Sequence, residues 1–415
     1  MAQPSSAARP STASWVGPTN VPPRSTGTPA IVAVDERPPT RSRPSRTTTS
    51  YPSCTNLRAA VKPAKPAPTT TTSALVGMLM SLGSHAVKIM TALFGPTDAI
   101  ERTHALVEAG ATGVFTFEGP HDVFAPLTLA STVGGVDLMT NVAIAFPRNP
   151  IHLAHQAIDH QLLSGGRFTL GLGTQIRTQI EKRFGADFER PVGRMRELIG
   201  ALRAIFDAWQ TGERLDFRGE FYRHTLMTPT FSPGPSPYGP PPIYVGALGP
   251  QLTRATAELA DGLLVMPFGS KRFLHEVTVP AVRAGLNAAG RSADDFAVVP
   301  EIIVSVGEDD RDHDATRRLL AFYGSTPAYR PVLEAHGWGD LQPELNAMSK
   351  QGRWQEMSAL IDDDVLHTIA ACGSPAEIAA HIADRVAGVG DRVCLYQPTP
   401  ISLDSLAQIV DGLRT

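Results

Sequence analysis

From Ala86 onward, short apolar runs alternate with longer amphipathic ones, the pattern of βα units built around a parallel sheet. Eight runs read as strands: AVKIMTALF (86–94), GVFTF (113–117), LMTNVAIAF (138–146), FTLGLG (168–173), PIYVGA (242–247), GLLVMP (262–267), AVVPEIIVSV (297–306) and RVCLYQP (392–398). Eight is the number that closes a (β/α)8 barrel, so the pattern predicts an α/β fold of the TIM-barrel type.

The segments between the strands read as outer helices. In PVGRMRELIGALRAIFDAWQTG, Pro191 suits a first helical turn, apolar residues recur at Met195, Leu198, Ile199, Leu202, Ile205, Phe206 and Trp209, and Gly212 supplies the stop. This face predicts core packing. In LLSGGRFTLGLGTQ, Ser164-Gly165-Gly166 predicts the end of the third helix, with glycine at the left-handed stop position, and Phe168 to Gly173 the fourth strand. Two insertions break the alternation: a Pro/Gly-rich excursion at 216–241 and a mostly helical section at about 308–390. In a barrel of this kind the loops after the strands build the active site, so chemistry is sought there.

The first 85 residues follow another rule. They are dominated by Pro, Ser, Thr and Arg with little hydrophobic periodicity, so they bury too little apolar surface to offset the entropy of ordering. The expectation is a disordered extension, 1–85, before one barrel domain, 86–415. Residues 1–85 hold nine Lys/Arg against two Asp/Glu, a balance of +7, so residues 86–415 carry −10 of the overall −3. The folded part therefore has no global field for recruiting nucleic acid. SALVGMLMSLG (73–83) is short and not placed as a secretory signal, and no segment reaches the roughly 18 apolar residues of a membrane span. Three cysteines, Cys54, Cys372 and Cys394, show no CxxC spacing, which fits reduced thiols and a cytoplasmic location.

Ionisable residues gather after the second strand, where EGPHDVFAP brings Glu118, His121 and Asp122 within five positions. Such a loop can hold an acid/base group, or it can be a solvated turn in which Asp122 caps the next helix. The helix that follows the third strand offers His152, His155 and His160, yet it lacks HExxH or a nearby carboxylate pair, so no metal site is expected. GLGTQIRTQIEKRFG follows the fourth strand and VGALGPQLTRATAELADG the fifth. Neither is a GxGxxG or a GxxxxGK[ST] loop. The second runs straight into a helix, where backbone N–H groups at Ala247, Leu248 and Gly249 beside Pro250 would favour a phosphate, although the residues alone favour an ordinary βα turn.

The runs NVAIAFPRNPIHLAHQAIDHQLLSGGRFTLGLG and GALGPQLTRATAELADGLLV resemble the third-to-fourth and fifth-to-sixth strand units of the bacterial luciferase-like monooxygenase superfamily. EGPHDVFAPL, GRMRELIGALRAIFDAW, GEFYRHTLMTP, AFYGSTPAYRPVLEAHGWGDL and GRWQEMSALIDD bring the likeness closest to its coenzyme F420-dependent, actinobacterial-type oxidoreductases. The resemblance implies a TIM barrel holding a planar reduced deazaflavin or flavin at the C-terminal mouth, and a homodimer. It implies a non-prolyl cis peptide on the third strand, joining Asn141 and Val142 within one residue, so that Asn141, Val142 and Ala143 back the ring. It places the cofactor phosphate on the backbone from Gly246 through Ala247, Leu248 and Gly249 to Pro250. Gly171 and Gly173 are expected to let the fourth strand approach the cofactor. His121 is expected to hydrogen-bond or protonate substrate, with Glu118 as the second candidate. Arg177, Lys182 and Arg183 are candidates for the acidic tail of the cofactor.

The cofactor decides the chemistry. Coenzyme F420 would make the protein a hydride-transferring oxidoreductase, reduced FMN an oxygen-using monooxygenase, and a third possibility is a flavin-binding protein without turnover. The substrate is expected to be a small apolar molecule, because the excursion and the aromatic residues Tyr323, Tyr329 and Trp338 could roof the pocket. Those aromatics could equally pack the insertion onto the barrel.

Overall fold

The computed structural model describes residues 87–414. The expected extension, 1–85, lies outside the described residues, as does Cys54. All eight predicted runs contain strands: β1 (Lys88–Ala92), β2 (Gly113–Thr116), β3 (Asp137–Thr140), β4 (Phe168–Gly173), β5 (Ile243–Ala247), β6 (Gly262–Val265), β7 (Ala297–Val306) and β8 (Arg392–Tyr396). Every neighbouring pair is parallel, and pairing of β6 with β7 and of β7 with β8 closes the ring. The fold is a (β/α)8 TIM barrel.

Three structural features lie beyond the eight-strand pattern. The third run divides into β3 and a two-residue continuation, Ala143–Ile144, that pairs with the end of β4. The excursion contains a small antiparallel hairpin, Phe217–Arg218 with Arg223–His224. A three-residue strand, Ala371–Gly373, pairs with the C-terminal end of β7. Strands this short contain too few residues for alternation to announce them.

Local signals set the helix ends. The helix Pro191–Thr211 starts at its proline and stops at Gly212, which adopts φ 75°, a left-handed conformation that suits glycine. All seven apolar positions expected on its inner face are buried. The third helix, Pro150–Leu163, is capped by the Asn149 side chain at its start, and Gly165 and Gly166 follow it with positive φ.

Inside the barrel, Met90, Phe115, Met139, Leu264, Val299 and Cys394 form a compact plug. Below them Arg392 on β8 bridges Asp137 on β3 across 3.1 Å, and the Tyr244 ring lies over Gly262. The lower barrel is therefore filled by side chains, as the layered packing of this fold requires. The section after β7 builds its own core around Leu320, Val332, Leu333, Leu345 and Leu366, which packs on Ile303 of β7 and on Phe268 after β6.

Two glycines give opposite outcomes. A Cβ on Gly262 would sit 2.7 Å from the Tyr244 ring and 2.9 Å from the Ala297 carbonyl oxygen, whereas one on Gly193 would meet nothing within 4 Å. Gly262→Ala is expected to destabilise by about 1–3 kcal/mol through overpacking. Gly193→Ala is expected to stabilise by about 0.5–1 kcal/mol by removing backbone freedom within a helix. Thermal denaturation of the two variants should displace Tm in opposite directions.

Candidate active site

The mouth of the barrel is organised by the path of the chain after β3. Thr140 Oγ1 donates to the Gly171 carbonyl at 2.7 Å and accepts from the Gly171 N–H at 2.9 Å, so a side chain stands in the β3–β4 ladder. The peptide from Asn141 to Val142 is cis. Val142 then turns over the ends of β4 and β5: a Cβ on Gly173 would fall 2.4 Å from Val142 Cγ2, and one on Gly246 would fall 3.1 Å from Val142 Cγ1. Ala143 and Ile144 rejoin the sheet opposite Leu172 and Gly173.

Gly171 and Gly173 have a steric role within the protein itself. A Cβ on Gly171 would lie 1.8 Å from the Thr140 carbonyl oxygen, so its missing side chain makes room for β3. Gly173 does the same for Val142.

A bracket holds the returning strand. Arg148 makes a two-pronged pair with Glu118, with contacts of 2.8 and 3.1 Å, and donates to the Ile144 carbonyl at 2.7 Å, while the Ile144 N–H donates to Glu118 at 3.1 Å. Both Glu118 oxygens are thereby engaged. His121 is exposed at the rim, and its ring packs over Gly95, just beyond β1, where a Cβ would approach Cδ2 to 3.2 Å. Asp122 caps the following helix, accepting from the N–H groups of Phe124 and Ala125 at 2.9 and 2.8 Å.

Opposite the bulge stands Glu301 on β7, a residue that the pattern alone did not single out. It is 9% exposed and accepts a 3.1 Å hydrogen bond from Asn141 Nδ2. Burial raises its pKa to about 8, and the hydrogen bond from Asn141 opposes that rise only in part. The carboxyl is protonated at neutral pH. Its charge, once formed, would act on the nearby Tyr323, Tyr329, Tyr396 and Cys394 and hold their pKa values up. The signal in the sequence was a single carboxylate inside the otherwise apolar run AVVPEIIVSV.

Aromatic rings wall the rest of the mouth. Phe94 and Phe117 meet edge-on at 5.7 Å, and Phe117 meets Tyr396 at 5.8 Å. Phe268, Tyr323 and Tyr329 stack among themselves at 5.4–6.1 Å, and Tyr323 is hydrogen-bonded to Tyr396. Tyr323 and Tyr329 both pack the insertion and feel the charge of Glu301 when it ionises. Trp338 stacks on His336 at 4.8 Å within the insertion.

On β5, Gly246 and Ala247 are buried strand residues paired with Gly173 and Val265. Leu248, Gly249 and Pro250 continue into the helix Pro250–Leu259, where Gly249 and Pro250 are exposed. That helix has neither a side-chain cap nor an acidic residue in its first turn, and a Cβ on Gly249 would meet nothing within 4 Å. The start of this helix, with Gly249 exposed and the positive end of the helix behind it, could hold a phosphate. In the loop after β4, Arg177 pairs with Glu181 at 2.7 Å, Arg183 donates to the Gly119 carbonyl at 2.8 Å, and Lys182 is exposed.

The third-helix histidines are spread out. His160 is buried, contacting the Gln156 carbonyl through Nδ1 and Thr128 Oγ1 through Nε2, His155 stacks on Trp209 at 4.7 Å, and His152 is exposed. Among the described residues no helix is long and apolar enough to cross a membrane.

The model of the luciferase-like monooxygenase family matches residues 70–392. An uncharacterized protein of Mycobacterium tuberculosis is 49% identical over 300 residues, 71% of this chain and 88% of the relative. The 5,10-methylenetetrahydromethanopterin reductase of Archaeoglobus fulgidus is 32% identical over 228 residues, 53% of this chain and 64% of that one. The coenzyme F420-dependent tetrahydromethanopterin reductase from Methanopyrus kandleri has the same fold, with TM-score 0.65, 20% identity and coverage of 79% of this chain and 98% of the reductase. So does the EDTA monooxygenase from Chelativorans sp. BNC1, with TM-score 0.56, 16% identity and coverage of 79% and 93%.

The Glu301 carboxyl makes stability depend on pH in a definite direction. With its folded pKa raised to about 8 from an ordinary 4.5, the native state holds a proton that the unfolded chain has released between those values. Native stability therefore falls as pH rises through that window, by an amount on the order of a few kcal/mol. Glu301→Gln should melt near wild type at pH 4.5 and above it at pH 8.5; equal Tm differences at both pH values would remove the buried acid.

Proposed function

The chain belongs to the luciferase-like monooxygenase family, and from that premise we propose that it is a coenzyme F420-dependent oxidoreductase, moving a hydride between the deazaflavin and a small, largely apolar organic substrate. The observation that carries this reading is the platform at the mouth: Val142 lies across Gly173 and Gly246, and it packs on the same barrel cluster as Phe117, whose ring meets Tyr396. A flat apolar floor beside an aromatic wall suits a planar tricyclic ring. The deazaflavin is favoured over FMN because a 5,10-methylenetetrahydromethanopterin reductase is matched at 32% identity over 228 residues.

When bound, the deazaflavin supplies the hydride at its ring carbon. The residues of the chain do the rest. The N–H groups at the helix start after Gly249 would hold the phosphate, and Val142 would support the ring. The Glu118–Arg148 bracket keeps that floor in place, so Glu118 serves as a positioning residue. His121, exposed at the rim, takes up or returns the proton on the substrate that balances the hydride. Glu301, kept neutral by burial, can donate a hydrogen bond beneath the floor without placing a negative charge there. The aromatic wall excludes water from the transfer.

Fluorescence titration of the purified protein with F420 and with FMN tests the cofactor. F420 should bind about tenfold or more tighter than FMN. Tight FMN binding without a response to F420 would overturn the reading in favour of a flavin enzyme. Gly249→Asp puts a carboxylate into the open helix start and should weaken F420 binding about tenfold. His121→Ala should leave the cofactor Kd unchanged and lower kcat by about 10²-fold or more once a substrate is in hand; turnover at the wild-type rate would end its assigned role.

A further inference from the structure

We propose that Glu301 governs the charge balance of the ring held on the Val142 platform, so that hydride uptake by the ring is favoured while this acid is neutral and opposed once it ionises. The proposal rests on the reading that a planar redox ring occupies that platform. It adds to the site a residue that acts on the ring by its charge and not by contact.

Glu301 lies in the middle of β7, with Cys394 of β8 as its register partner. Its 3.1 Å partner, Asn141, is the residue whose peptide to Val142 is cis. One hydrogen bond thus links the carboxyl to the residue immediately before the floor.

The surroundings of this acid are neutral. Asn141 reaches it from the end of β3, Cys394 and Tyr396 lie near it on β8, and Tyr323 and Tyr329 approach from the insertion. Burial raises its pKa and the Asn141 hydrogen bond lowers it, and among the described residues neither a cation nor a second carboxylate acts on its proton. The other acid of the mouth, Glu118, is already matched by Arg148. A charge formed at Glu301 therefore has no counter-ion and little solvent to screen it, and it reaches its neighbours far more strongly than a surface carboxylate would. The three tyrosines and Cys394 are pushed to higher pKa by burial first and by the charge of Glu301 in addition. They keep their protons where Glu301 loses its own, so Glu301 is the group of this set that changes charge near pH 8.

Hydride transfer carries two electrons and one proton from substrate to ring, and the ring gains one negative charge. The proton that the substrate also gives up goes to His121. With Glu301 neutral, the new charge on the ring meets no carboxylate beneath the floor. With Glu301 ionised, two like charges share one poorly solvated site, and the reduced ring is destabilised relative to the oxidised one. Linkage makes the effect mutual: the reduced ring tightens the hold of Glu301 on its proton.

Anaerobic calorimetry of the full chain with oxidised and with reduced F420 tests this at about pH 6.5 and about pH 9.5, on either side of the Glu301 pKa of about 8. FMN takes the place of F420 if only FMN binds. The ratio of reduced-ring Kd to oxidised-ring Kd should rise about tenfold more between the two pH values in the wild type than in Glu301→Gln, which is a fall of about 30 mV in the potential of the bound two-electron couple. At the lower pH the two proteins should agree within about twofold, because glutamine resembles the neutral acid in size and charge. Circular dichroism at each pH checks that both are folded. Should Glu301→Gln fail to fold, infrared spectroscopy of the wild type replaces it: the carboxyl band that persists at neutral pH should vanish at a higher pH with the reduced ring than with the oxidised one. An equal pH response in the two folded proteins, or a carboxyl band indifferent to the redox state, would overturn the proposal and leave the platform standing. Binding of neither ring would overturn the platform and the proposal with it.

Discussion

The mouth of this barrel depends on one steric constraint: β3 leaves the sheet so close to β4 and β5 that side chains are forbidden beneath it. The Thr140 carbonyl occupies the place where Gly171 would carry a Cβ, and Val142 fills the space over Gly173 and Gly246. Close-packed interiors do not tolerate such overlaps, so the three glycines and the departing strand form a single device. The floor on which any planar ligand would rest is a consequence of that device.

What holds the device is a mixture of charge and neutrality. Outside the floor, Glu118 and Arg148 are partly exposed and make a two-pronged pair that also binds both polar backbone groups of Ile144. A pair with this geometry orients as well as attracts. Inside the floor, Glu301 has Asn141 as its hydrogen-bond donor and phenols and a thiol around it, and burial keeps it protonated. An ionised carboxylate there would have to be paired with a cation, whereas the neutral acid can sit among apolar rings. The two glutamates thus differ in state because their surroundings differ, although both serve the same loop.

The insertion after β7 has its own core, and two of its tyrosines tie it to the barrel. Tyr323 and Tyr329 pack on Phe268, and a charge on Glu301 would act on both, so packing and electrostatics coincide at those two positions. Trp338 packs on His336 within the insertion.

Sequence periodicity by itself determined the eight strands, the amphipathic helix between Pro191 and Gly212, the turn at Ser164–Gly166 and hence the barrel, because those signals are local and repeat along the chain. The resemblance in NVAIAFPRNP and GALGPQ placed the bulge at Asn141–Val142, which no periodicity would have suggested. Tertiary structure alone decided the rest. Asn141 and Glu301 are 160 residues apart, and only closure of the ring sets them face to face. Glu118 and Arg148 are 30 apart, in loops whose separate patterns say nothing of their meeting. Gly171 reads as an opening in a strand until the Thr140 carbonyl is seen to fill it. Spacing encodes the period of each element, whereas partners across a barrel are fixed by strand register and steric fit, which no single segment of the chain contains.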